Sequence, residues 1–442
     1  MKYFKLIFLL LLYPFISIHF LFAAMIWHKD FSASKISVDF SNNIYAITRN
    51  NRYDAYLTKL DQKGIVQWKC SFSSKNRMDD FDMDVDSEGN IYIAGIFDKD
   101  ISFQSAEGQR QSIVLSDWNC GDIFIVKYSP AGQILWKKIA ISYGSFNVSI
   151  SLGSECFYVA GDYNTSILFY SFDTKDQFIL NENLDGDKDL FFSKYQFNGD
   201  LKWAKSIQGN RFDTIKLFAI DKMNDFVLAA AYLGNTLIEI VDGSKFLKDE
   251  GVFIAKYREN SPMWIQDIKG DCNIYDMIQI NNDIYVAGNF RRSIDFYSGE
   301  KKTTSLSALG QDFYICKYLS DEADLQWVRK GGGSNRDYMF NLTKQSNGNV
   351  LLAGYIDDTD IAFFDNNQSL PGAIGNFIAE YSSEGVMRTL WKSEDISSIV
   401  NDILIDKNGH LILSNWKGGL SKMNIQHVSI KDVLKILKFL SD

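Results

Sequence analysis

The stretch DFDMDVDSEGN at 80–90 carries an acid at every second position: Asp80, Asp82, Asp84 and Asp86. In an extended chain this alternation sends all four to one face and Phe81, Met83 and Val85 to the other. D-x-D-x-D also opens calcium loops, so Asp82, Asp84 and Asp86 are candidate metal ligands, with calcium as the cation. An EF-hand needs glycine at its sixth position, however, and counting from Asp82 that position is Ser87. DGDKD at 185–189 repeats the theme with Asp185 and Asp187. For both runs, solvated or turn-capping carboxylates are the reading adopted, and no metal is assigned.

Other catalytic equipment is sparse. Beyond residue 24 the histidines are His28, His410 and His427, and none has a spaced partner. There is no GxSxG elbow, no HExxH and no phosphate-cradling loop, so no catalytic or cofactor-binding residue is assigned. A carboxylate pair of the glycosidase kind could still hide among 55 acids. Trp118, in SDWNCGD, stands outside any repeat among polar neighbours and is the candidate ligand-binding residue.

A formal net charge of −9 argues against nucleic acid, which is bound through clustered Lys and Arg. The five cysteines, Cys70, Cys120, Cys156, Cys272 and Cys316, are scattered with no CxxC, so spacing pairs none of them. Lys2 and Lys5 precede a long apolar run that ends at Ala23 and Ala24. That pattern describes an export signal over 1–24, or an uncleaved anchor that would be the chain's one contact with a membrane.

These residues must be positioned by a repeat. Trp27, Trp68, Trp136, Trp203, Trp264, Trp327 and Trp391 recur, each in an apolar strand pattern. About nine residues before a tryptophan stand Lys59, Lys127, Lys194, Lys256 and Lys317. The sixth copy has Glu380, and the seventh has Lys422 with no tryptophan after it. Asp122 and Lys127 are five apart and so stand about 17 Å apart on opposite faces of a strand. An interblade pair, or a lysine whose stem covers apolar surface, is the role expected. Upstream of each lysine runs a strand–turn–strand unit such as DMDVDSEGNIYIAGIF, with turn chemistry at SEGN, SNGN and KNGH.

Four short strands per unit with no helical period predict an all-β array. Seven units, an unfinished last one and an orphan strand MIWHKDF at the front predict a seven-bladed β-propeller. It would span 25–426, with the amino-terminal strand completing the last four-stranded blade. Residues 427–442 change period, with Ile430, Val433, Leu434 and Leu437 at helical spacing, and predict a short amphipathic helix.

The sentence D-x-FI-x-KY…G-x-ILW, preceded by VD-x-x-GNIYIAG, resembles the bacterial SBBP-type propeller repeat found in exported proteins. The resemblance covers nearly all of 25–426 and implies the fold and export, with no catalytic residue to carry over. The expectation is a monomeric, secreted, periplasmic or surface scaffold that presents loops to a protein or glycan at the cell envelope. The rival is a glycan hydrolase or lyase using carboxylates at the channel mouth. A cluster of Asp, Arg, His or Tyr converging at the channel mouth would favour the enzyme, and a channel lined by small and apolar side chains would favour the scaffold.

Overall fold

The computed structural model describes residues 20–115, 121–142, 144–145, 147–170, 177–181, 188–209, 212–219, 225–234, 236–240, 243–357, 361–364, 368–371, 374–392, 400–415 and 419–428. Among them there is no helix, and the regular elements are strands. Val, Ile, Tyr and Phe dominate these strands, as suits a chain packed on both faces of a pleated sheet.

Among the described residues the strand pairings trace seven antiparallel meanders, linked into six sheets, in a propeller-like arrangement. The first runs through Lys35–Val38, Ile44–Arg49, Asp54–Leu60 and Val66–Ser73. The innermost strands of the others are Met78–Val85, Val148–Leu152, Phe212–Ala219, Asp276–Ile280, Tyr338–Lys344 and Val400–Ile405. Each lies beside the next, and Val400–Ile405 lies beside Lys35–Val38. The last meander takes its third strand, Gly419–Val428, and its fourth, Phe20–Lys29, from opposite ends of the chain, with Met25 facing Met423 and Trp27 facing Lys422.

Three features stand beside the expected bounds and strand number. The amino-terminal strand begins at Phe20, inside the segment 1–24 expected to be a leader, and its residues through Ala24 pair with Val428 to Asn424. The strand Gly419–Val428 runs past 426, so His427 and Val428 are strand rather than helix; the rest of the expected helix, 429–442, lies outside the described residues. Most sheets also exceed four strands. The cause is a hairpin inserted between the second and third strands of a meander, which pairs with the outermost strand of the meander before it. Asp100–Gln104 adds to Val66–Ser73 in this way, with Phe72 facing Phe103. Ser166–Tyr170, Thr236–Ile240 and Ile361–Phe364 do likewise on their own neighbours. An exposed outer edge is thereby paired instead of left open.

Alternation along each strand fills two cores. Ile44 and Ala46 pack toward Ile412 and Leu420 of the last meander, while Tyr45 and Ile47 pack toward Ile93 and Phe124 of the second. Each neighbouring pair of meanders shares one such apolar cluster. The donated hairpins contribute to them: Phe103 lies edge-on to Phe124 at 5.3 Å, and Phe364 to Phe377 at the same distance.

The lysine and tryptophan of the repeat act together. Lys59 Nζ and Trp68 Nε1 both donate to the Pro130 carbonyl, at 3.0 and 3.1 Å, in the outer turn of the following meander. Lys127 and Trp136 do the same to Phe197 O, and Lys317 and Trp327 to Ser383 O. Lys422 and Trp27, from opposite ends of the chain, converge on Gln62 O. The turn glycine lies under the indole: a Cβ on Gly64 would stand 2.7 Å from the Trp27 ring. Glu380 departs from the pattern because the strands it would clamp across to, Gly419–Val428 and Phe20–Lys29, are not joined by a turn. It accepts instead from Asn349 Nδ2 at 2.6 Å.

Gly132 has φ of 78°, and an added Cβ would lie 2.8 Å from Ala106 and 3.1 Å from Trp68; Gly348 has φ of 84° and nothing within 4 Å. Gly348→Ala is therefore expected to cost about 1–2 kcal/mol of backbone strain alone. Gly132→Ala adds overpacking of about 1–3 kcal/mol to the same strain. Urea unfolding of the two variants reads the difference, and equal losses would remove the clamp from the account.

Candidate functional site

The innermost strand of each meander has one neighbour only, so half of its backbone groups face the central channel without a ladder partner. One side chain per strand lies at a common level, because each sits opposite the equivalent residue of the second strand. Lys35 faces Ile47, Asp82 faces Ala94 and Ser149 faces Ala160. Lys216 faces Ala229, Asp276 faces Ala287, Asn341 faces Ala353 and Asp402 faces Ser414. A tier of polar groups at one level is the result, and apart from Asp82 no sequence motif announces it.

The aspartates do a specific job there. Asp82 Oδ2 accepts from Ile150 N at 2.9 Å and from Ser149 Oγ at 3.0 Å, across the gap to the next inner strand. Asp80 and Asp84 accept from Val148 N and Leu152 N on that same strand. Asp276 reaches Leu342 N at 2.7 Å, and Asp402 reaches Ile36 N at 2.9 Å. The other oxygen of Asp82, Asp84, Asp276 and Asp402 accepts from the backbone N–H of the following residue. A carboxylate reaches where a carbonyl cannot, since adjacent inner strands are too splayed to form a ladder.

Charge is balanced unevenly. Lys35 Nζ lies 3.2 Å from Asp82 Oδ1. Asp82 holds its ammonium far above the ordinary lysine value, with help from Asp402, Asp276 and Asp80. Burial pushes Asp82 up, but Lys35, Lys216 and the bonds from Ile150 and Ser149 outweigh it, so its carboxyl ends below the usual 3.8. Burial wins at Asp84 and Asp402, each pushed up to about 6, and it also raises Asp80 and Asp276.

The sequence candidates separate on this frame. Asp82 and Asp84 line the channel and bridge strands, where solvated or turn-capping carboxylates are expected from the sequence. Asp86 does not join them; it caps its turn by accepting from Glu88 N and Asn90 N at 3.0 and 2.8 Å. Among the described residues no group of three or more His, Cys, Asp or Glu is arranged to hold a metal. Asp185, Asp187 and Trp118 lie outside the described residues. Lys216, Asp276, Asn341 and Asp402 escaped notice because each is a single polar residue in its own repeat. The signal that could have found them is the equivalent position in the alignment of the repeats.

Convergent acids are what a catalytic channel was expected to show, and at the level of residue type the channel has them. Their bonding is to backbone N–H groups, which leaves few of these oxygens for a substrate.

Lys35→Met should cost about 2–3 kcal/mol at pH 7, somewhat below the ~3–5 kcal/mol typical when one partner of a fully buried pair is removed. Lowering the pH to 5 should recover part of that loss by protonating Asp84 and Asp402. In the parent protein the sign is opposite to that of an ordinary salt-bridged acid. The folded chain keeps a proton on Asp402 between about pH 3.8 and 6 that the unfolded chain has released, so stability falls as pH rises through that window. Asp402→Asn should flatten this slope in urea titrations; an unchanged slope would mean that Asp402 titrates normally.

No protein-family model matches the chain, so the SBBP-type resemblance has no such support. The chain is 20% identical over 402 residues to an uncharacterized WD repeat-containing protein of Acanthamoeba polyphaga mimivirus, a match covering 74% of this chain. It spans 28% of the length of that relative. Among solved structures it is similar to the WD40 β-propeller domain of Doa1, with TM-score 0.45, 11% identity, and coverage of 92% of this chain and 97% of that one. The Dos1 propeller gives TM-score 0.44 and 10% identity, over 92% and 94% of the two chains.

Proposed function

We propose that the seven meanders form one closed, seven-bladed propeller that serves as a rigid binding scaffold for a protein or glycan partner. Closure is supported by the Lys422–Trp27 clamp on Gln62, which repeats between the last and first meanders the bond pattern used elsewhere. A binding role rather than a catalytic one is supported by the channel aspartates, whose oxygens are engaged by the backbone of neighbouring strands. That observation carries the reading, because it gives the acid cluster a structural task. The place of action is outside the cytoplasm, at the envelope or beyond it; Lys2, Lys5 and the apolar run after them support that part.

The enzyme reading draws on Asp84 and Asp402, carboxyls near pKa 6 of the kind that can donate a proton. One experiment separates the two. The full chain is applied to an array of envelope proteins and polysaccharides, and bound and released material are both analysed. Saturable binding with the polysaccharide intact is expected. Shortened or unsaturated sugar products, lost in Asp402→Asn, would overturn the scaffold.

A further inference from the structure

The channel rim between the fourth, fifth and sixth meanders holds a cavity of about 380 Å³. That is at the small end of the ~300–1,000 Å³ range of ligand sites. Tyr275, just before one inner strand, and Tyr338, at the start of the next, line it together with Asn289 and Arg291 from Asp283–Ser298. Glu250 and Asp271 also line it, but both are held by the Arg292 guanidinium, at 3.2 and 3.1 Å.

Two groups in this cavity keep donor capacity to spare. Arg291 is exposed and has no carboxylate partner among the described residues; its Nε donates to the neutral Gln311 Oε1 at 3.1 Å. In a chain of net charge −9, an arginine without an acid leaves its guanidinium fork open to an outside one. Asn289 is only 4% exposed, its Oδ1 accepts from Met339 N at 3.0 Å, and its Nδ2 has no hydrogen-bond partner. A buried donor left unmade costs about 1–3 kcal/mol unless something fills it. The Asn289 amide lies against the Tyr275 hydroxyl, a polar contact that works to lower the phenol's pKa while falling short of full hydrogen-bond geometry. Burial pushes that phenol up, Tyr338 adds to the rise, and Arg291 opposes it, so these groups share one small space.

We propose that this cavity binds a sugar unit carrying a carboxylate, the end of an acidic glycan, with Arg291 on the carboxylate and Asn289 and the two tyrosines on the ring hydroxyls. The inference rests on the binding-scaffold reading and names its ligand. A sugar fits better than the carboxyl end of a peptide because its hydroxyls both donate and accept. They can therefore accept from the Asn289 amide and both donate to and accept from the two tyrosine hydroxyls in the same cavity. Tyrosine faces also suit the apolar face of a sugar ring.

The test is calorimetric titration of the full chain with digalacturonic acid and with the neutral disaccharide galactobiose. The acidic sugar should bind at least tenfold tighter than the neutral one. Arg291→Ala should abolish that preference, and Arg291→Lys should restore only part of it, since a lysine offers no fork. Arg291 is exposed, so thermal melts of both variants should match the parent. Equal binding of the two sugars, indifference to Arg291→Ala, or no binding of digalacturonic acid overturns the inference. So does capture of a free-carboxylate peptide in its place. If the array of whole envelope molecules still yields a partner, only the cavity assignment falls. If the array is blank while digalacturonic acid binds, the broader choice of partners falls instead.

Discussion

Sheets set radially around an axis each have two edges, and every edge carries backbone N–H and C=O groups that must be satisfied. The features of this chain that look decorative in isolation answer that constraint. At the inner edge, Asp82, Asp276 and Asp402 reach across to N–H groups of the next strand. At the outer edge, hairpins from the following meander add two further strands. Between the two, a lysine and a tryptophan hold the neighbour's turn by one carbonyl.

These devices couple each meander to the next and only weakly to more distant ones, which is the energetics of a repeat protein. A linear array would leave its two terminal faces bare. Here the last meander is assembled from both ends of the chain, and its Lys422 and Trp27 meet at Gln62. The exceptions to the repeat are informative for the same reason. Glu380 stands where no hairpin turn exists to be clamped. Trp203 keeps a buried Nε1 without an acceptor beside the shorter turn at 258–261, where Lys194 pairs with Glu259 instead.

The channel shows how one residue type serves opposed needs. Carboxylates are the acceptors that reach the splayed strands, yet burying several of them together raises Asp84, Asp402, Asp80 and Asp276. Lys35 lies among them as the compensating charge. Such a lining is polar by structural need, so its polarity alone is weak evidence for catalysis.

The sequence by itself determined the period, the strand–turn–strand grammar, and the spacing of lysine from tryptophan, because these depend on local propensity and on spacing within one unit. It also showed Asp80, Asp82 and Asp84 sharing a face, from alternation alone. What those carboxylates touch was decided by tertiary structure, since their partners lie 67 or 68 residues away on another strand. The same holds for Arg291, whose missing partner shows only once its neighbours in space are known. A side chain's direction is written locally; what waits at the end of it depends on how the sheets are arranged around the axis.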